Sequence, residues 1–229
     1  MNELSTIIVP FFNEDKFLKG ALTNLISEQF EKEIILVNDG STDGSLDIAL
    51  QFQKSNKDIK IISFSQNRGK GFAIKAGVEQ SKGEIIGIYD ADQEYSSADL
   101  SELVSSMREE ELDFILGSRF IGNKNRMNIY LRTFIANKLL SSLFSIVHRN
   151  KITDIATCLK LFRKDLIHDI NFESDGFSIE VELIAKVLKQ TKNFKELPIS
   201  YSGRSYEDGK KIKLIDGFMY VYSIFKFKI

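Results

Sequence analysis

The chain has one cysteine, two prolines and two histidines in 229 residues. A lone Cys158 excludes an internal disulfide and fits a reducing compartment, where it reads as a core thiol. His148 and His168 stand without metal-ligand spacing, so a histidine-built metal centre is not expected and no persuasive histidine base is in view. No run of about 18 apolar residues occurs, which argues against a membrane-spanning helix. Residues 1–5 put no basic stretch ahead of the first apolar run, so a secretory leader is not expected. The 31 basic and 32 acidic residues leave a net charge of −1, which carries no nucleic-acid signature. No G-x-G-x-x-G follows the first apolar run, which disfavours a dinucleotide-binding dehydrogenase.

What is present is an alternation. Short apolar runs at 6–9, 33–37, 59–64, 85–89 and 114–117 read as strands. Helical spacing fills 15–28, 45–54, 71–81 and 97–110 between them, and a longer helix covers 129–147. A strand near 159–162, helices near 165–170 and 179–190, a strand near 195–201 and a helix near 214–227 complete the chain. The order predicts an α/β fold with a parallel sheet covered by helices. Hydrophobic content of 43% and charged content of 28% suit one globular unit of this length. A single domain over 1–229 is expected, with 206–229 as a C-terminal basic amphipathic segment.

The polar punctuation lies at the ends of the strands. The run Ile85-Ile86-Gly87-Ile88-Tyr89 closes in Asp90-Ala91-Asp92-Gln93-Glu94. In open α/β sheets ligands bind outside the carboxyl ends of the strands. Two carboxylates one residue apart repel unless a cation lies between them, and Mg²⁺ or Mn²⁺ on carboxylates commonly shares substrate phosphates. The pair therefore reads as a metal site holding a diphosphate, against the plainer reading of an acidic, solvated turn. Upstream, Asn38-Asp39-Gly40-Ser41-Thr42-Asp43-Gly44 follows the second strand. Asp39 can accept hydrogen bonds from a nucleoside there, or serve simply as a turn residue.

These segments, with Ile7-Ile8-Val9-Pro10, Asn13-Glu14, Asn67-Arg68-Gly69-Lys70-Gly71 and Gly117-Ser118-Arg119, resemble glycosyltransferase family 2. The stretches Thr153-Asp154-Ile155-Ala156-Thr157-Cys158 and Pro198-Ile199-Ser200-Tyr201-Ser202-Gly203-Arg204 narrow the resemblance to its dolichol-phosphate mannosyltransferase-like branch. It spans residues 4–226. It implies a GT-A fold, a mostly parallel Rossmann-like sheet with helices on both faces. The implied activity is inverting transfer from a nucleotide-sugar donor, GDP- or UDP-linked, to a polyprenyl phosphate. Other readings are transfer to a glycan or small-molecule hydroxyl, and a non-catalytic nucleotide-sugar-binding or scaffold protein.

The resemblance assigns roles residue by residue. Pro10, Glu14, Asp39 and Asp90 line the donor nucleotide-sugar pocket. Asp90, Asp92 and Glu94 hold Mg²⁺ or Mn²⁺, with Gln93 as a competitor of Glu94 for the third position. Arg204, Lys210 and Lys211 face the donor diphosphate, and Arg119 and Arg132 hold the acceptor phosphate. Asp92, Arg119 and Arg204 are thereby the catalytic set. Relatives carry a hydroxyl residue four positions after the second arginine; this chain has Ala136, and Thr133 looks poorly placed to replace it. Glu180 and Glu182 divide between a functional and a structural or helix-surface role.

A membrane surface is the remaining expected partner. Residues 120–150 contain no Asp or Glu but carry Lys124, Arg126, Arg132, Lys138 and Arg149 among large apolar residues. Residues 210–229 set five lysines against one aspartate. Basic amphipathic helices of this kind lie in anionic lipid interfaces. The expected location is cytoplasmic, peripheral on the membrane face, with contact made directly or through a membrane-embedded partner protein.

Overall fold

The computed structural model describes residues 3–128, 130–204 and 214–228. Seven strands form one sheet: β1 (Ser5–Phe11), β2 (Lys32–Asp39), β3 (Ile59–Phe64), β4 (Ile85–Ile88), β5 (Phe114–Ser118), β7 (Lys160–Arg163) and β8 (Phe194–Pro198), in spatial order β3-β2-β1-β4-β7-β5-β8. The helices are α1 (Leu18–Ser27), α2 (Ser45–Ser55), α3 (Lys70–Gln80), α4 (Ser97–Glu109), α5 (Leu131–His148), α6 (Lys164–Ile167), α7 (Ile179–Leu188) and α8 (Leu214–Lys226). They pack in two sets on the two faces: α1 against α2 and α4, and α7 against α3, α6 and α8, with α5 on α8. Strands β1, β4 and β5 are buried along their whole lengths, as a sheet covered on both faces requires.

Two features depart from the expected pattern. β7 runs antiparallel between β4 and β5, pairing Ile88 and Leu116 both with Lys160. The expected strand over 195–201 breaks after Pro198, and its end becomes β9 (Tyr201–Ser202), which pairs with β6 (Arg126–Met127) in a separate two-stranded ribbon. The first helix also starts at Leu18 rather than at Asp15.

The inserted strand decides the site. β4 and β5 both run opposite to β7, so they share a direction. β1 and β2 are parallel to β4 through their pairing, and β8 is parallel to β5. The carboxyl ends of β1, β2, β4, β5 and β8 therefore lie along one edge, and the amino end of β7 joins them. Glu14, Asp90, Asp92 and Arg119 follow strands ending on that edge, Asp39 closes β2 there, and Arg204 follows β9 of the ribbon, while Asp154 and Lys160 precede and begin β7.

Close packing of α3 on the sheet needs a glycine. A Cβ on Gly77 would stand 2.5 Å from Ile8 Cγ2, inside the core of β1. Overpacking of a dense core costs about 1–3 kcal/mol. Gly77→Val is expected to lower stability by at least that amount in urea unfolding, with nucleotide affinity unchanged below the transition.

Candidate active site

The loop after β2 is fixed first. Asp39, almost fully buried, accepts backbone N–H groups from Arg68 at 2.8 Å and Gly69 at 2.7 Å. Its carboxylate thus ties the start of α3 to the end of β2, and a nucleoside contact would share those oxygens. Gly69 sits at φ 104°, with Asp175 O 2.4 Å from where a Cβ would lie, so only glycine lets the 174–176 loop close over this turn. Asn13 Oδ1 accepts the Thr42 N–H at 2.8 Å, and Ser45 Oγ accepts the Glu14 N–H at 2.7 Å. Pro10 is buried in β1 opposite Val37. Glu14, Pro10 and Asp39 thus share one side of the edge.

The acidic segment after β4 splits into two environments. Asp90 turns to Lys70, whose Nζ stands 2.8 Å from Asp90 Oδ1 and 2.8 Å from Glu180 Oε1. Glu180 also pairs with the fully buried Lys160. This chain of alternating charges, Asp90–Lys70–Glu180–Lys160, joins β4, α3, α7 and β7 beneath the site. Burial opposes both charges, yet the mutual attraction wins: the Lys70 amine is held well above its ordinary value and the Asp90 carboxyl below its own. Glu182 is structural as well, accepting the Glu173 and Ser174 N–H groups at 2.7 Å. Removing one member leaves an uncompensated buried charge, which typically costs about 3–5 kcal/mol. Glu180→Leu, which strands two lysines, is expected to lose stability of that order in denaturant titration; a loss below about 1 kcal/mol would show that the network is solvated.

Asp92 and Glu94 belong to the second environment. Arg204 lies across them. Its Nη2 donates to Asp92 Oδ2 at 2.8 Å, its Nη1 to Glu14 Oε2 at 2.9 Å, and its Nε stands 3.6 Å from Glu94 Oε1. Glu94 also accepts the Arg204 N–H at 2.9 Å and the Tyr201 hydroxyl at 2.7 Å. Burial, then repulsion from Asp90 and Glu94, outweighs Arg204 and pushes the Asp92 carboxyl up to about 7. A buried carboxylate perturbed in this way is a candidate functional group. Gln93 takes no part: its amide donates to Phe17 O at 2.6 Å, on the α1 side.

The expected metal triad is therefore not assembled as a triad. Among the described residues no three His, Cys, Asp or Glu groups converge on a metal position. Asp90 is turned to Lys70, whereas Asp92 and Glu94 converge where Arg204 now lies. Two carboxylates with substrate phosphates and water suit Mg²⁺ or Mn²⁺ by their chemistry, and Arg204 lies where such an ion would be held. Lys210 and Lys211 lie outside the described residues.

Arg119 follows β5 and is buried. Asp154, fully buried, grips it with two oxygens: Nε donates to Oδ2 at 2.7 Å and Nη2 to Oδ1 at 2.8 Å. The ring of Tyr201 lies 5.0 Å from the guanidinium, and its hydroxyl reaches Glu94. One aromatic ring thus separates the Arg119 side from the acidic side. Arg119 lines a small open hollow with Phe120, Asn128, Tyr130, Thr133, Phe134, Asn137 and Tyr201. Arg132, paired with Arg119 in the expected acceptor site, is exposed and does not line it; Ala136 is exposed too, while Thr133 faces in.

Asp154, Tyr201 and Lys70 stand in the stretches that carry the resemblance but, like Lys160, were given no role in the sequence. The signal for Asp154 was there: an aspartate amid apolar residues implies a buried cation partner. His148 is a packing residue, stacked on Phe144 and bonded through Nε2 to Ile224 O at 2.9 Å. Cys158 is buried, with its thiol pushed up by burial and by Asp90.

An edge of this kind, carrying acidic residues after β4, is where open α/β sheets bind their ligands. The glycosyl transferase family 2 model matches residues 6–170, and the chain belongs to that family. It is 26% identical to the dodecaprenyl-phosphate galacturonate synthase of Rhizobium johnstonii over 89% of its length, spanning 60% of that protein. It is 28% identical to the dolichyl-phosphate beta-glucosyltransferase of Saccharomyces cerevisiae over 91% of its length, spanning 69% of that enzyme. Among solved structures, glucosyl-3-phosphoglycerate synthase of Mycobacterium tuberculosis, in complex with Mn²⁺, UDP and phosphoglyceric acid, superimposes with a TM-score of 0.75. That likeness covers 98% of this chain and 78% of the other at 13% identity, and it establishes the GT-A fold.

Proposed function

We propose that the protein is an inverting, metal-dependent glycosyltransferase that moves a sugar from a nucleotide-diphosphate sugar to a polyprenyl phosphate. The observation that carries this reading is the pair of sites separated by the Tyr201 ring: carboxylates and Arg204 on one side, the Arg119 hollow on the other. The two named relatives use lipid-phosphate chemistry by their names.

In this reading the nucleoside lies between Pro10, Glu14 and Asp39. Arg204 leaves Asp92 and Glu94 and turns to the diphosphate, where a rigid guanidinium fork suits phosphate oxygens. Asp92 and Glu94 would hold Mg²⁺ or Mn²⁺, which would supply charge neutralisation of the leaving diphosphate. The acceptor phosphate is already ionised near pH 7, so no base is required. Its oxygen forms a bond to the anomeric carbon from the face opposite the leaving group, the bond to the donor diphosphate breaks, and the electron pair leaves with the nucleoside diphosphate. A hydroxyl acceptor would need a general base, and His148, the histidine nearest the core, is occupied beneath α8.

Peripheral membrane contact follows from the acceptor. No helix among the described residues is long and apolar enough to cross a membrane. α5 and α8 pack together and expose large apolar side chains, among them Leu131 (71%), Ile146 (76%) and Phe218 (74%). Surface-near basic residues each contribute roughly 1 kcal/mol on anionic membranes, less as salt screens them. The full-length protein is expected to float with anionic vesicles at low salt and to be released progressively as salt rises; retention in the soluble fraction at low salt would contradict this. Donor class is tested by thermal shift with UDP- and GDP-sugars plus Mn²⁺, since a ligand that binds only the native state raises the midpoint.

A further inference from the structure

A second hollow lies between the 173–178 loop and α8 and encloses about 210 Å³. Ser178 and Ser223 line it, and both are more than nine-tenths buried, at 6% and 2% exposure. Neither hydroxyl has a hydrogen-bond partner among the described residues. Other serines of the chain behave differently. Ser96 caps α4 with its hydroxyl, whereas Ser178 stands at the N-cap of α7 without capping it. Ser141 and Ser145 return their hydroxyls to carbonyls four residues back; Ser223, on the buried stripe of α8 with Tyr220, Ile224 and Phe227, does not. Unlike Thr157 Oγ1, neither oxygen is sealed in the core. An unpaired buried hydroxyl costs free energy, so two that open on one hollow point to an occupant.

The hollow is not the donor pocket. The backbone of 174–176 stands between them: Asp175 O accepts the Phe72 N–H at 3.1 Å, and the Ser174 and Asp175 carbonyls close on Gly71 and Gly69, all on the α3 side. Glu173 and Asp175 on the rim are already paired, Glu173 with Lys226 at 2.9 Å and Lys186 at 3.3 Å, Asp175 with Lys75 at 2.8 Å. Asp216, from the first turn of α8, adds an acceptor. Among the described residues no three His, Cys, Asp or Glu groups converge on a metal position. What faces a ligand is therefore chiefly hydroxyl, with the rings of Tyr222 and Phe177 as apolar surface. Hydroxyls both donate and accept, so they suit a neutral ligand that carries hydroxyls itself. The space equals that of about seven waters and falls below the roughly 300 Å³ at which sites for drug-sized ligands begin. It has room for one ring.

We infer that this hollow is a saccharide-binding site, separate from the site of transfer, that seats one neutral sugar ring through Ser178 and Ser223. A free glycan and a glycolipid headgroup share this chemistry. The headgroup has a route to the hollow, since α8 exposes Phe218 and Phe225 on the helix that contributes Ser223.

The test is saturation-transfer NMR of the full chain with methyl glucoside, methyl galactoside and methyl mannoside, joined to flotation with neutral vesicles that contain or lack a monoglycosyl diacylglycerol. Ser178→Ala, Ser223→Ala and the double variant are compared, with circular dichroism as the control for folding. At least one glycoside is expected to bind, and excess UDP or GDP with Mn²⁺ should not displace it. Each alanine should weaken binding about fivefold, the worth of one neutral hydrogen bond, and the pair should weaken it further. Melting temperature should hold or rise, because an unpaired hydroxyl has been removed. Retention by glycolipid vesicles above the plain ones, lost in the double variant, would identify a headgroup as the source; binding of free glycosides alone would identify a free glycan. Absence of sugar binding in both arms would leave the hollow to water and overturn the site. Displacement by nucleotide, or variants that bind like the wild type, would overturn it equally, and each of these results leaves the transferase reading standing.

Discussion

Asp92→Asn is expected to reduce sugar transfer by about 10²–10³-fold, the range seen when one preorganised electrostatic contact to the reacting charge is removed. The Asp92 carboxyl is pushed up by burial first and then by Asp90 and Glu94, and is relieved in part by Arg204. The substitution removes an oxygen ligand for the ion and one of the contacts that hold Arg204. Calorimetry with UDP or GDP separates these effects. Wild-type affinity should depend on Mn²⁺ and collapse in chelator; the variant should bind weakly in both conditions. Undiminished affinity, or wild-type binding that ignores chelator, would remove the metal from the account.

The second large effect lies at Arg119. Its partner Asp154 has no access to water, so Arg119→Ala strands a carboxylate. Breaking such a pair costs roughly 3–5 kcal/mol, which at about 2–4 °C per kcal/mol for a chain of this size lowers the melting temperature by the order of 10 °C. A lost activity in this variant alone would therefore be uninformative. The pair variant Arg119→Met with Asp154→Leu resolves it, because replacing both charges by apolar residues is often neutral. It should regain most of the stability, keep nucleotide affinity and remain unable to bind an acceptor phosphate. Recovery of acceptor binding in the pair variant would make Arg119 purely structural.

These two residues show what could be read in advance. Asp92 was legible because a strand end carrying two carboxylates is a local pattern, and parallel strands with helical crossovers put such ends on one edge. The same logic pointed to Asp39 and Arg119, whereas Arg204 was implied by the resemblance. It did not find Asp154, Lys70 or Lys160, because their partners arrive from distant segments: Asp154 lies 35 residues from Arg119 in the chain. Nor could it find the direction of β7. Four residues, three of them buried, read the same in either direction, and only the sheet decides that the amino end of β7 meets the carboxyl ends of β4 and β5. Ribbon β6–β9 was hidden for another reason, since two residues a side carry no period. Gln93 against Glu94 turned on backbone geometry: Gln93 adopts φ 60°, and its amide reaches α1 while Glu94 stays with Asp92.

Arg204 links the two halves of the account. It pairs with Glu14 and Asp92 and stands beside Glu94, the carboxylates of the donor side. In the proposed reaction Asp92 and Glu94 would hold the ion, and Arg204 would turn to phosphate oxygens. Residues 205–213, which follow it in the chain, lie outside the described structure.

The most direct measurement is sugar transfer itself. Purified full-length protein, vesicles containing a polyprenyl phosphate, Mn²⁺ and a panel of UDP- and GDP-sugars are combined, and the lipid fraction is analysed by mass spectrometry. The account predicts a polyprenyl-phosphate-linked sugar from at least one donor, absent in chelator, absent with Asp92→Asn, and of anomeric configuration opposite to that of the donor. Consumption of a donor with sugar appearing only on hydroxyl acceptors, or a lipid product of retained configuration, would contradict it.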